Sequence, residues 1–239
     1  MTAGSIPSCT LSGLITVDKP VGPSSMDVVR QVRRAAAHGC GHKRVKVGHA
    51  DTLDPLASGL MICCLGQATR CVDQLMNLPK VYDAIVNLSA FSSTDDREGQ
   101  FEPVSTHPPT LEVVGDACGR FVGDIQQTPP VYSAVHVNGK RAYALARRGL
   151  QVQLKPRQVR IDQIELLDYS WPLVQLRISC GRGTYIRSLA RDLGHELQTG
   201  GHLETLRRTA VGSYTVQQAN PISRFEQSLY QEDLLPKPG

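Results

Sequence analysis

No stretch of this chain is long and apolar enough to span a bilayer as a helix. The opening segment, Met1 to Gly13, has neither a basic start nor an apolar centre, which argues against a secretory signal. The expected location is therefore the cytoplasm, with no membrane partner. Neither GxxxxGK[ST] nor GxGxxG occurs, so the nucleotide motifs support neither an ATPase nor a dehydrogenase. Internal repeats, low-complexity tracts and long linkers are also missing. The 7 cysteines are odd in number and irregular in spacing, which excludes a disulfide framework as the organising principle. His38, Cys40, His42 and His49 lack the paired Cys-x-x-Cys or His-x3-His spacing of zinc sites, so no metal is expected.

What is present is an ordinary globular composition, 41% apolar and 20% charged over 239 residues. That length supports a substantial core. The net charge of +4 is mild, but its distribution is uneven. Val28 to Ala50 contains no acid and carries Arg30, Arg33, Arg34, Lys43, Arg44 and Lys46. Ile125 to Ile161 is again acid-free and carries Lys140, Arg141, Arg147, Arg148, Lys155, Arg157 and Arg160. Two such segments suit a polyanion, although solvated surface faces would have the same composition.

Leu14–Val17 reads as a short buried strand, and Ser24 and Ser25 are N-cap candidates for a helix through Val28, Val29 and Val32. His38 to Pro55 reads as a loop, Val81 to Phe91 as a strand, and Ser92 to Gln100 as a polar turn. Leu111–Arg120 and Lys140–Arg148 have helical composition, the second ending at Gly149. Val159–Leu167 and Leu173–Cys180 read as strands, and Thr184–Leu197 as a helix with the stripe Ile186, Leu189, Ala190, Leu193 and Leu197. Strands and helices alternate without a regular βαβ rhythm, which predicts one α+β domain around a mixed sheet.

The densest chemistry lies in Gly48-His49-Ala50-Asp51-Thr52-Leu53-Asp54-Pro55-Leu56-Ala57-Ser58-Gly59, with two carboxylates and an imidazole on a glycine-bounded loop. Taken alone, an Asp-Pro pair is more often a turn than a catalytic site. The segment gains weight because it resembles the catalytic-loop motif of the TruB family of pseudouridine synthases. Four more motifs follow the same family in order. They are Gly13–Pro20 with Gly22 and Ser24-Ser25, then Lys80-Val81-Tyr82, then Pro129–Arg141, and finally Gly183–Leu189 with Leu206-Arg207-Arg208.

The resemblance implies a pseudouridine synthase fold, a mixed and mostly antiparallel sheet flanked by helices. It implies one catalytic domain over 1–239, with a basic RNA-gripping insertion around 129–157. It also implies residue roles. Asp54 is the essential aspartate, Tyr82 packs on the target base, and Arg187 pairs with the aspartate. Leu206 lines the pocket, His49 lies near the flipped base, and Lys19 and Pro20 support the loop. Tyr185, Lys140, Arg141, Arg147 and Arg148 are placed against the substrate. The implied reaction converts uridine 55 of the tRNA TΨC stem-loop to pseudouridine in a monomer without a cofactor. Relatives that act on another RNA, or that fold RNA without chemistry, remain alternatives.

Two departures stand out. Asp51 occupies a position where many relatives carry a small residue, and a second carboxylate near Asp54 would raise the pKa of one of them. Bacterial relatives often continue into a PUA domain, and none is expected within a chain that reaches Gly239.

Overall fold

The computed structural model describes residues 11–41, 45–133, 135–137 and 139–238. In chain order its strands are β1 (Gly13–Lys19), β2 (Val47–Ala50), β3 (Ser58–Leu65), β4 (Lys80–Asn87), β5 (Ala90–Asp96), β6 (Phe101–Pro103), β7 (Gly123–Gln127), β8 (His136–Val137), β9 (Lys140–Arg141), β10 (Arg157–Ser170), β11 (Leu173–Cys180), β12 (Gly201–Val211), β13 (Tyr214–Thr215) and β14 (Asn220–Pro221). Its helices are α1 (Ser25–Gly39), α2 (Val72–Met76), α3 (Leu111–Gly119), α4 (Ala142–Ala146) and α5 (Ile186–Glu196). The chain forms two compact units, Met1–Leu78 with Arg207–Gly239, and Pro79–Leu206.

In the first unit, β3 carries no polar residue after Ser58, and β1 and β3 are each buried at all positions but one, as strands covered on both faces are. They pair antiparallel from Gly13 opposite Leu65 to Lys19 opposite Gly59. The other edge of β3 is shared. β2 runs antiparallel along Ile62–Leu65, and the Arg207-Arg208 part of β12 runs parallel beside Ser58 and Gly59. The segment between β2 and β3 therefore returns to the sheet at Gly59, with Lys19 on one side and Arg208 on the other. Leu14, Leu60, Ile62, Cys64, Leu75 and Val211 form the core beneath it. Each large apolar side chain so buried contributes about 1.5–3 kcal/mol.

Ser24 caps α1 as expected. Its Oγ accepts from Asp27 N at 3.2 Å, and Asp27 Oδ2 accepts from Ser24 N at 2.9 Å. Val28, Val29, Val32, Ala35 and Ala36 make the buried stripe of this helix. The expected loop over His38 to Pro55 is corrected by β2. A Val-Gly-His-Ala strand has no periodic signal, and its strand partner is β3, more than ten positions away. β3 itself shows no alternation, since neither of its faces is polar.

The second unit is built on the antiparallel order β4-β11-β10-β7. Lys80, Tyr82, Ala84 and Val86 alternate inward on β4, as do Val174, Leu176, Ile178 and Cys180 on β11. The expected polar turn at Ser92–Gln100 begins as strand. β5 pairs with β6 from Ala90 opposite Pro103 to Ser92 opposite Phe101, and it lies parallel to the Gly201–Leu203 part of β12. Its Ser, Thr and Asp residues satisfy one another, with Thr94 Oγ1 donating to Asp96 Oδ1 at 2.5 Å. α3 and α5 form close to their expected bounds. α4 is shorter than expected, because Lys140 and Arg141 pair as β9 with β8. Gly149 takes φ 72°, the left-handed conformation of a helix-ending glycine. Both units thus combine helices with a mixed sheet in which antiparallel pairs dominate.

Candidate active site

The 51–57 loop is braced at almost every residue. Asp51 ends β2 in the left-handed region, φ 79°. Its carbonyl lies 2.8 Å from His49 Nδ1, and its Oδ1 accepts from Thr52 N at 3.0 Å. The buried Ser25 hydroxyl donates to Leu53 O and accepts from Leu53 N, both at 2.8 Å. Ala57 N donates to Asp54 O at 3.1 Å, closing a turn with Pro55 in its second position. Gly22 N donates to Pro55 O at 2.8 Å. Leu53 and Leu56 point into the core, while Asp54 between them stays half-buried.

Two buried cations sit at the base of this loop. Lys19 Nζ donates to Pro20 O and Pro23 O at 2.9 Å and reaches Pro55 O at 3.5 Å. Burial pushes its pKa down to about 8, against the opposing pull of the Asp54 charge. Arg208 is 0% exposed. Its Nε donates to Leu60 O at 2.7 Å, and its Nη1 pairs with Asp51 Oδ2 at 3.3 Å. Gly59 permits this closeness, because a Cβ there would stand 2.2 Å from Arg208 O. Neither Ser25 nor Arg208 was singled out by chemistry in the sequence. Their roles depend on contacts with residues far along the chain.

The remaining site residues belong to the second unit. Tyr82 is buried on β4 opposite Ile178 of β11. Arg187, in the first turn of α5, is 5% exposed and so is no surface charge. Its Nη1 donates to Thr94 O at 3.2 Å and Asp96 Oδ2 at 3.3 Å, and its Nη2 donates to Tyr132 O at 3.0 Å. One turn on, Arg191 pairs with Asp95 at 2.6 Å and donates to Thr128 O at 3.0 Å. Asp96 carries no sequence signal of this pairing, because the Ser-Ser-Thr-Asp-Asp stretch reads as turn chemistry. The Tyr185 backbone is held at both ends by the buried Gln127 side chain, at 2.8 and 3.1 Å. Leu206 is half-buried on β12.

The basic segment behaves differently. Lys140, Arg141, Arg147, Arg148, Lys155 and Arg157 are all exposed. Among the described residues none of the six pairs with a carboxylate. Lys140, Arg141, Tyr143, Ala144, Leu145 and Arg148 line a groove of about 380 Å³. The Arg147 guanidinium stands 5.7 Å from the Tyr143 ring centre. Cys9, His42, Lys43, Arg44, Ala134 and Asn138 lie outside the described residues.

Residues 39–186 match the profile of the TruB family pseudouridylate synthase (N terminal domain). The chain belongs to the TruB family of pseudouridylate synthases. It is therefore an isomerase by family, and residues 187–237 match the tRNA pseudouridylate synthase B C-terminal domain, not a PUA domain. The tRNA pseudouridine synthase B of Phocaeicola vulgatus is 43% identical over 220 residues, covering 91% of this chain and 93% of that protein. That of Clostridium acetobutylicum is 38% identical, covering 94% of this chain and 76% of its own length. Among solved structures, one chain of a Cbf5-Nop10-Gar1 complex superposes with a TM-score of 0.65 at 27% identity. The match spans 93% of this chain and 59% of that one. The TruB membership and the mixed α+β fold expected from the five motifs are both borne out.

Proposed function

We propose that this chain converts uridine 55 in the TΨC loop of tRNA to pseudouridine, acting as a monomer in the cytoplasm. The observation that carries this reading is the Asp54 loop, a half-exposed carboxylate on a turn fixed by Ser25, Lys19 and Gly22. The tRNA pseudouridine synthase B relatives supply the substrate class. Among the described residues no helix is long and apolar enough to cross a membrane.

The reaction breaks the C1′–N1 bond, turns the freed uracil, and joins C1′ to C5. A proton leaves C5 and one is returned to N1. Nothing is oxidised and no atom is gained overall, so the chemistry calls for no cofactor. The base is extruded from the folded RNA before it can react. Asp54 acts as the ionised carboxylate, whether it attacks C1′, adds to C6 or removes a sugar proton. The resemblance to the family gives Arg187 the role of partner to that carboxylate. By the same family roles Tyr82 supplies a flat wall for the released ring, and Leu206, His49 and Tyr185 bind the substrate. The exposed cations of 129–157 form the insertion that grips the stem-loop through its phosphates.

Replacing Asp54 with Asn should abolish pseudouridine formation while leaving tRNA binding in place, and equal product from that variant would refute the reading. Pseudouridine mapping in cells with and without the gene tests the position, since an unaffected uridine 55 points to another RNA. The Tyr82 hydroxyl would also help to remove the C5 proton, and a Tyr82→Phe variant with unchanged turnover would exclude that role and leave stacking intact.

A further inference from the structure

Among the described residues only Asp51, Asp95 and Gln198 adopt positive φ without being glycine. At Asp51 the conformation is held from three directions. The carbonyl takes the His49 Nδ1 hydrogen, Oδ1 takes the Thr52 amide, and Oδ2 takes Arg208 Nη1. Only Thr52 and Leu53 separate this residue from Asp54, and Leu53 is pinned at both its N–H and its carbonyl by Ser25. The direction in which the chain enters Asp54 is thus set at Asp51.

Arg208 is a fixed anchor for that residue. It is wholly buried, and its Nε is committed to Leu60 O of β3. Its Nη2 has no hydrogen-bond partner among the described residues. A buried guanidinium that already has one orphan donor depends strongly on the carboxylate it keeps. The carbonyl of Asp51 also decides the His49 tautomer. A carbonyl only accepts, so Nδ1 carries the hydrogen and Nε2 of the neutral ring presents its lone pair.

We infer that Asp51 is a positioning residue whose ion pair with Arg208 sets the aim of Asp54, while its backbone carbonyl selects the tautomer of His49. This rests on the reading of Asp54 as the reacting carboxylate. The second carboxylate in the loop is then a brace with a buried cation of its own.

The test uses the full chain, a tRNA transcript, single-turnover rates, and ¹⁵N-histidine NMR of the free protein. Asp51→Asn keeps the left-handed turn, which Asn tolerates, and removes the charge. Its rate on bound tRNA should fall on the order of 10-fold, with tRNA affinity within about twofold, because misaiming affects the reacting geometry and not the docking. Asp51→Gly keeps the backbone conformation and loses every side-chain bond, so its rate should fall further, on the order of 100-fold. Arg208→Lys should recover part of the rate lost in Arg208→Met. His49 should be an Nδ1–H tautomer in the parent and, because its acceptor is a backbone carbonyl, should remain so in Asp51→Gly. Parental rates on bound tRNA in both Asp51 variants would overturn the inference. An Nε2–H tautomer of His49 in the parent would overturn the part assigned to the Asp51 carbonyl even if a variant were too unstable to assay. A parent chain that makes no pseudouridine would refute the proposed function instead, and the tautomer measurement would still judge Asp51.

Discussion

Lys19 and Arg208 are fully buried, and each spends its hydrogen bonds on carbonyls or on one carboxylate around the Asp54 loop. Lys140, Arg141, Arg147 and Arg148 lie exposed on β9, α4 and the turn after it, with no acidic partner among the described residues. The two sets are chemically alike and physically opposite. Burying a cation costs desolvation, so it persists only where fixed acceptors offset that cost, and it then fixes the geometry of those acceptors. An exposed cation keeps its hydration and its rotamers, and it gives them up when a phosphate arrives. Buried charge here shapes a carboxylate loop. Exposed charge is left free for a polyanion.

The sharpest break of this comparison is at the carboxylate itself. Asp54→Asn should lower product formation by at least about 1,000-fold while the exposed cations hold tRNA affinity within about threefold. A filter-binding assay beside a pseudouridine assay separates the two effects.

Next comes Lys19→Met, which leaves the Pro20 and Pro23 carbonyls without their donor. The expected loss is about 2–4 kcal/mol of stability in urea denaturation. The pH dependence has two signs. The folded pKa of about 8 lies below the ordinary 10.5, so between them the unfolded chain holds a proton that the folded chain has released. The titration-linked part of the Lys19 contribution to stability is therefore full above 10.5 and is lost as pH falls through about 8, where the ammonium still makes its bonds to the loop. Activity should move the other way, declining above pH 8 as the loop loses its ammonium tie. A parental rate flat from about pH 7 to about pH 9.5 would break this assignment.

Neutralising the exposed set should have a smaller and more selective effect. The triple change Arg147→Ala, Arg148→Ala and Lys155→Ala should weaken tRNA binding on the order of 10-fold at moderate salt. The slope of log affinity against log salt should flatten by up to about two. Turnover at saturating tRNA should stay at the parental level. Unchanged affinity and slope would remove the gripping role.

The smallest effect should come from a cation of neither kind. Arg177 is exposed yet paired with Asp83 across β11 and β4, at 2.8 and 3.0 Å. Arg177→Met should cost less than about 1 kcal/mol in thermal unfolding and leave tRNA binding unchanged.

Much of the frame could be read from residue order. The Ser24 cap, the alternation of β11 and the stripe of α5 are local signals, and each appears where expected. The strands that carry the site were harder to read. β2 is short and mixed, β3 is apolar on both faces, and β5 is made of turn-like residues. Each is a strand because of what pairs with it. The site shows the same division. Asp54 and its loop stand out by residue type, whereas Ser25, Asp96 and Arg208 become functional candidates only through the contacts they make.

By itself the sequence determined the family, the loop with its two carboxylates, and the acid-free segment that carries the exposed cations. These depend on residue type and order, which need no third dimension. Only the tertiary structure decided that Asp51 takes Arg208, a residue 157 positions away. It also decided that Lys19 and Arg208 flank Gly59 from opposite strands. The reason is physical. Ion pairing and desolvation act over a few ångströms of space, and chain folding alone decides which charges come that close.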